Sequence, residues 1–123
     1  MNRELYFATP VYVKDVGTPE FNNQLEQNIV NWSKQDKGEV KTNMNGWHST
    51  TDMHTKPEYK MLVDLLYEAQ EFIYKDELLD NEPYLGNMWA NINPPGGYID
   101  HTLILIHYGL ECIILKHLLI VAI

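Results

Sequence analysis

The sequence predicts a fold of mixed helix and strand, the α+β class, in one small domain. Two stretches place apolar residues three or four positions apart, as on one face of a helix. Two others are rich in aromatic and β-branched residues or alternate in polarity, as strands do. At 123 residues the chain is long enough to bury one core.

The first strand and the first helix are predicted before a polar loop. Residues 5 to 13 combine aromatic and β-branched side chains with a single proline, which indicates an edge strand. Thr18 and Pro19 predict a helix start, because the hydroxyl can cap free amides and proline is tolerated at the first helical position. The helix should end near Ser33, and its apolar face consists of Phe21, Leu25, Ile29 and Trp32.

The second helix and the last strand follow that loop, which spans residues 34 to 45. The helix should run from Pro57 to about Leu79, with an apolar face of Tyr59, Leu62, Leu66, Ala69 and Ile73. Residues 84 to 93 alternate as in a strand, with Met88, Ala90 and Ile92 on one face and Asn87, Trp89, Asn91 and Asn93 on the other. The following Pro-Pro-Gly-Gly predicts a tight turn.

Charge and cysteine content exclude several classes of partner. With 17 acidic and 9 basic residues, the net charge of -8 provides no basic surface for nucleic acid or anionic membranes. The single Cys112 excludes an internal disulfide and fits a reducing compartment. The first ten residues contain no apolar segment of signal-peptide length, so we expect a cytoplasmic protein.

Few residues of the first 98 suggest a site. His48, Asp52 and His54 are possible metal ligands, but their spacing matches no ligand motif and solvated loop residues are the simpler interpretation. Trp47 and Trp89 could line a cleft or pack in the core. Two amides on one strand face, Asn91 and Asn93, must find partners or form a binding surface, although spacing alone favours an exposed face.

The composition changes abruptly after Tyr98. From residue 99 to the end 17 of 25 residues are hydrophobic, against 38 of 98 before it. Charged and histidine residues interrupt this tail, so a membrane span is not predicted. If the tail is genuine, its runs LILI, IIL and LLIVAI could be buried strands, separated by residues 107 to 111 and by residues 116 and 117.

Three segments carry a family resemblance: LYFATPVY near the start, GWHS at residues 46 to 49 and MWANINPPGGY at residues 88 to 98. Over residues 4 to 98 the chain resembles small 2-oxoglutarate- and Fe(II)-dependent oxygenases from phage and bacterial genomes. In that family the GGY is followed by a short H-x-H, then P-N-S and S-G-V-Y-Y. This chain has none of these elements.

The genetic code accounts for their absence. If one base was lost at Ile99, each original codon consists of the third base of a present codon and the first two of the next. His101-Thr102 then allows only His or Tyr, and Tyr108-Gly109 only Trp or Arg. A consistent choice of synonymous codons, with no stop codon, gives GGYNRSHTHPNSLWSGVYYIKTP. This text contains the missing elements in order. We therefore predict that residues 1 to 98 are the N-terminal part of an oxygenase-like domain and residues 99 to 123 an out-of-frame apolar tail.

The resemblance implies a double-stranded β-helix, or jelly roll, here truncated, with the N-terminal helices packed on the sheet. It implies iron held by two histidines and usually a carboxylate, and hydroxylation coupled to decarboxylation of 2-oxoglutarate to succinate. The restored H-x-H, rather than the commoner H-x-D, leaves the third ligand open. Asn93 and Tyr98 are the cosubstrate-binding candidates.

As written, the chain is expected to lack a complete iron site and so to be inactive. His101 is the nearest surviving histidine, one place short of the first ligand, and is the only metal candidate in the tail region. Unpaired barrel edges and the apolar tail predict self-association. The substrate, a small molecule or a protein, is not predicted.

Two alternatives remain open. The chain is either an intact binding or interaction module with an apolar C-terminal docking segment, or an intact metalloprotein that uses His48, His54 and His101.

Overall fold

The computed structural model describes residues 1–2, 12–41, 43–80, 84–99, 111–115 and 118–122, and for 98–99 and the last two stretches it describes the backbone alone. Within these residues the chain forms two α-helices and six short strands. This mixed content confirms the predicted α+β class.

The first helix, α1, spans Pro19–Gln35 and begins as predicted. The Thr18 hydroxyl accepts a hydrogen bond from the Phe21 amide at 3.2 Å, so it satisfies one of the free amides of the first turn. Leu25 and Ile29 are buried, as their spacing predicts. The helix ends two residues later than predicted.

The second helix, α2, spans Lys60–Asp76, after two single 3-10 turns at Met53–Thr55 and Pro57–Tyr59. The prediction of a helix from Pro57 to Leu79 was therefore too long at both ends. Leu78 adopts a positive φ of 52°, a left-handed conformation that ends a helix. The predicted apolar face is correct, since Tyr59, Leu62 and Leu66 are buried.

Six strands form two antiparallel sheets. They are β1 (Asn43–Met44), β2 (Trp47–His48), β3 (Met88–Ile92), β4 (Tyr98–Ile99), β5 (Glu111–Leu115) and β6 (Leu118–Ala122). Strands β1 and β4 pair with each other, and the larger sheet has the order β2-β3-β6-β5. Strand β3 is thus an inner strand, flanked by β2 and β6.

The structure corrects three boundaries predicted from the sequence. The predicted loop at residues 34 to 45 contains β1. The strand predicted for residues 84 to 93 is confined to Met88–Ile92. Of the strand predicted for residues 5 to 13, residues 5 to 11 lie outside the described part, and Tyr12 and Val13 are exposed and not in a strand. The predicted turn after β3 is confirmed by the Gly97 amide, which donates to the Pro94 carbonyl at 2.8 Å.

The core lies between the two helices and one face of the larger sheet. Its buried members are Leu25, Ile29, Met53, Tyr59, Leu62, Leu66, Leu85, Met88 and Ala90. Trp32 joins the elements around it, because its ring lies 5.5 Å from that of Trp47 and 5.8 Å from that of Tyr59. The helices therefore pack on the sheet, as expected. Among the described residues no helix is long and apolar enough to cross a membrane.

Neighbouring residues on α2 test this packing. The side chain of Leu62 is 1% exposed and that of Met61 is 56% exposed. We expect Leu62→Ala to lower the free energy of unfolding by about 2–5 kcal/mol, because it leaves a cavity in the core. Met61→Ala should change it by less than about 0.5 kcal/mol. Urea denaturation followed by circular dichroism measures both, and equal losses would contradict the orientation of α2.

Candidate functional site

The register of β2 and β3 separates the sheet into two chemically different faces. Trp47 lies opposite Ile92, and His48 lies opposite Asn91. Met88 and Ala90 belong to the core face, so the alternate residues of β3 belong to the other. We call the sheet face that carries His48, Trp89 and Asn91 the polar face.

Ser49 modifies the ladder between these strands. Its amide donates to the Ala90 carbonyl at 2.9 Å, as in a regular antiparallel pair. The return bond from the Ala90 amide goes to the Ser49 hydroxyl, at 3.0 Å, instead of to the Ser49 carbonyl. The carbonyl is therefore free for another donor, and Nδ1 of His48 lies 2.5 Å from it. The sequence analysis assigned Ser49 no role, and its position directly after His48 was the available signal.

His48 is buried and held from several sides. The residue is 7% exposed, and its ring stacks on Trp89 with 5.7 Å between centroids and 16° between planes. Its carbonyl accepts a hydrogen bond from the Glu39 amide at 2.7 Å. Because the Ser49 carbonyl can only accept, Nδ1 of His48 must carry the proton in that contact. Trp89 thus contributes to the polar face and not to the core.

Asn91 was predicted to lie on an exposed face, and this is wrong. It is 1% exposed, and among the described residues its Oδ1 has no hydrogen-bond partner. The spacing showed only that Asn91 points away from the core face, whereas its burial depends on what covers the opposite face. A buried amide oxygen without a donor costs about 1–3 kcal/mol. Such an atom is a candidate acceptor for a ligand, a water molecule or a further chain segment.

Asn93 follows Asn91 at the end of β3 and is half-buried. Its Oδ1 is also buried, without a partner in the part of the chain that the structure describes. A Cβ added to Gly46 would lie 2.4 Å from this oxygen and 2.9 Å from the Ile92 carbonyl oxygen, so glycine allows the Asn93 amide its present position. Tyr98, the other cosubstrate candidate, lies in β4 opposite Met44, across the Pro94–Gly97 turn from Asn93, and its side chain is outside the described part.

The core side of β2 is fixed by the segment after α1. The Trp47 indole N–H donates to the Asp36 carbonyl at 2.9 Å, which confirms core packing for this tryptophan with its polar atom satisfied locally. The Asp36 carboxylate accepts from the Gly38 amide at 2.8 Å. Gly38 has a φ of +69°, and a Cβ there would lie 2.2 Å from the His48 carbonyl oxygen. Asp36 and Gly38 therefore hold the backbone of β2 in place.

The structure does not assemble a metal site from His48, Asp52 and His54. Among the residues that the structure describes, no three His, Cys, Asp or Glu side chains could hold a metal ion together. Asp52 instead accepts a hydrogen bond from the Thr50 hydroxyl at 2.5 Å, which lowers the pKa of its carboxyl group. His101 lies outside the described residues, so the structure says nothing of its role as a ligand.

No family model, curated protein or solved structure matches this chain.

Gly38 and Gly96 both have a positive φ, but only Gly38 has close neighbours at its Cβ position. Alanine substitutions at the two sites therefore distinguish the cost of backbone strain from the cost of steric contact. Gly96 has a φ of +83° and open space at its Cβ position, whereas Gly38 would place a Cβ against the His48 carbonyl. We expect Gly96→Ala to cost about 1 kcal/mol of stability and Gly38→Ala about 3 kcal/mol or more. Thermal unfolding measures the difference. Equal losses would show that Gly38 does not support β2.

The Thr50 hydroxyl should control the titration of Asp52. Because the hydrogen bond stabilises the carboxylate, the lowered pKa adds stability above the pKa of the unfolded chain, and this stability is lost as pH falls through the folded pKa. In Thr50→Val the Asp52 pKa should rise, and in the neighbouring control Thr51→Val it should not. NMR titration of the Asp52 carboxyl carbon decides between these outcomes.

Proposed function

We propose that residues 4 to 98 are the N-terminal part of a 2-oxoglutarate- and Fe(II)-dependent oxygenase domain with a double-stranded β-helix fold. The reading frame changes after Tyr98, so that the chain as written lacks the iron-binding H-x-H and is inactive. The proposal is supported by GWHS, by MWANINPPGGY and by the oxygenase text that one restored base produces directly after them.

The observation that carries this proposal is the buried polar face, on which the Oδ1 atoms of Asn91 and Asn93 have no donor within the described part of the chain. Asn91 and His48 are directly opposite each other on a sheet whose other face packs against the helices. Side chains that are fully buried in a structural core are mostly apolar, so a buried asparagine opposite a buried histidine is unusual there. A barrel that binds a polar ligand presents polar groups inward instead, which fits the residues found here.

The described residues fit the cosubstrate in part and do not fit iron. The side-chain amide of Asn93 has Nδ2 as a donor, the group type that suits a carboxylate of 2-oxoglutarate. No described group of side chains could hold a metal ion, so we derive no step through iron. When bound, iron and 2-oxoglutarate supply oxidative chemistry, for which Asn93 would orient the cosubstrate.

A second candidate function rests on the paired tail strands. Strands β5 and β6 pair antiparallel, and β6 pairs with β3 along its full length. These strands match two of the three apolar runs expected if the tail is genuine, and the run at residues 103 to 106 lies outside the described part. The chain would then be an interaction module.

In that case the outer strand β5 would be the docking edge. Within the described strands β5 pairs on one side only, with β6. An apolar edge of this kind joins other strands, in a partner or in a second copy of the chain. Runs of leucine and isoleucine favour strands whatever their origin, so the β5–β6 pair does not discriminate between the two functions.

Restoring one base at Ile99 tests the oxygenase proposal. We expect the restored product to bind Fe(II) and to convert 2-oxoglutarate to succinate, and the chain as written to do neither. Replacing both histidines of the restored H-x-H by alanine is the matched control and should abolish iron binding. Asn93→Ala in the restored product should weaken 2-oxoglutarate binding about tenfold, the loss of one hydrogen bond to a charged group, while the exposed Asn87→Ala should not.

Two results would overturn the proposal. One is a gene whose alternative frame around residue 99 does not encode the H-x-H. The other is a folded, restored product that binds neither iron nor 2-oxoglutarate.

A further inference from the structure

The ring of His48 is fixed in a way that determines its chemistry. The Ser49 carbonyl accepts a hydrogen bond from Nδ1–H of His48, and the Trp89 ring stacks on the imidazole. In the neutral ring, Nε2 then carries a lone pair and can only accept a hydrogen bond. Among the described residues no hydrogen bond reaches Nε2.

A second acceptor lies directly across the strands. Asn91 is the register partner of His48, and its Oδ1 is buried without a donor. The Ser49 amide bond to Ala90 makes the next pair, His48 and Asn91, a non-hydrogen-bonded pair, in which side chains approach most closely. Two adjacent acceptors therefore share one face, and both lack a donor in the described part of the chain.

We infer that His48 Nε2 and Asn91 Oδ1 form a substrate-binding pair that accepts two hydrogen bonds from one primary amine or primary amide group. This inference rests on the proposed function, because it assigns the substrate side of the polar face, beside the cosubstrate group Asn93. The net charge of -8 attracts an amine, and either group supplies two N–H donors from one nitrogen.

The arrangement at Ser49 distinguishes this role from simple core packing. A histidine with only a packing role would not require a fixed ring proton. Here the Ser49 carbonyl, which is released from the β2–β3 ladder, fixes that proton on Nδ1. The Ser49 hydroxyl replaces the carbonyl as the acceptor for the Ala90 amide, and the carbonyl accepts a hydrogen bond from Nδ1 of His48. A backbone carbonyl that accepts from one ring nitrogen fixes the tautomer, and the other nitrogen is then an acceptor for a ligand N–H.

Titration of the full chain, labelled with ¹⁵N-histidine, tests the pair. We expect acetamide to shift the Nε2 resonance of His48 saturably and acetone, which has a similar size but no N–H, to leave it unchanged. A parallel titration with methylammonium distinguishes the two groups. If methylammonium binds more tightly than acetamide, the site prefers an amine, and if acetamide binds more tightly, it prefers an amide. Equal responses to acetamide and acetone, or no response to either N–H probe, would overturn the inference.

Variants separate binding from folding. His48→Phe keeps the stacking ring and should reduce acetamide binding at least tenfold, measured on the indole signal of Trp89, whereas the control His54→Phe should not. Ser49→Ala should raise the population of the Nε2–H tautomer of His48, and Ser49→Thr should restore the wild-type tautomer. An unchanged tautomer in Ser49→Ala would contradict the proposed role of Ser49. None of these measurements needs iron or 2-oxoglutarate, so their failure is distinguishable from failure of the oxygenase proposal.

Discussion

The pairing of β2 with β3 is the constraint on which the rest of the structure depends. It sets Trp47 and Ala90 against the helices and places His48 and Asn91 on the opposite face. Because side chains alternate along a strand, a shift of one residue would move the histidine into the core and the tryptophan out of it. The core and the candidate site are therefore fixed by the same register.

Small residues around β2 make that register possible. Gly46 leaves room for the Asn93 amide, and Gly38 lets the segment after α1 approach the His48 carbonyl. Ser49 adds a side-chain hydroxyl to the ladder and so frees its own carbonyl for the His48 ring. The GWHS segment thus combines close backbone approach, core packing and control of a histidine proton in four consecutive residues.

Local signals in the sequence predict the helices well and the site only in part. Periodicity found the buried faces of both helices, and Thr18 marked the first helix start, because these depend on neighbours along the chain. Spacing along β3 identified its two faces but could not show that Asn91 is buried, since this depends on distant segments. The role of Ser49 was missed for the same reason, because its partner Ala90 is 41 residues away.

The apolar tail and the polar face are chemically mismatched where they meet. The register places Leu119 of β6 opposite Asn91 and Val121 opposite Trp89. Neither leucine nor valine carries a side-chain donor, so these neighbours offer nothing to the unsatisfied oxygen of Asn91. In the proposed restored frame, the residues after Tyr98 would include asparagine, serine, histidine and tyrosine, which are hydrogen-bonding types. Because natural sequences rarely bury polar groups without partners, this mismatch agrees with the proposal that β6 is not the natural neighbour of β3.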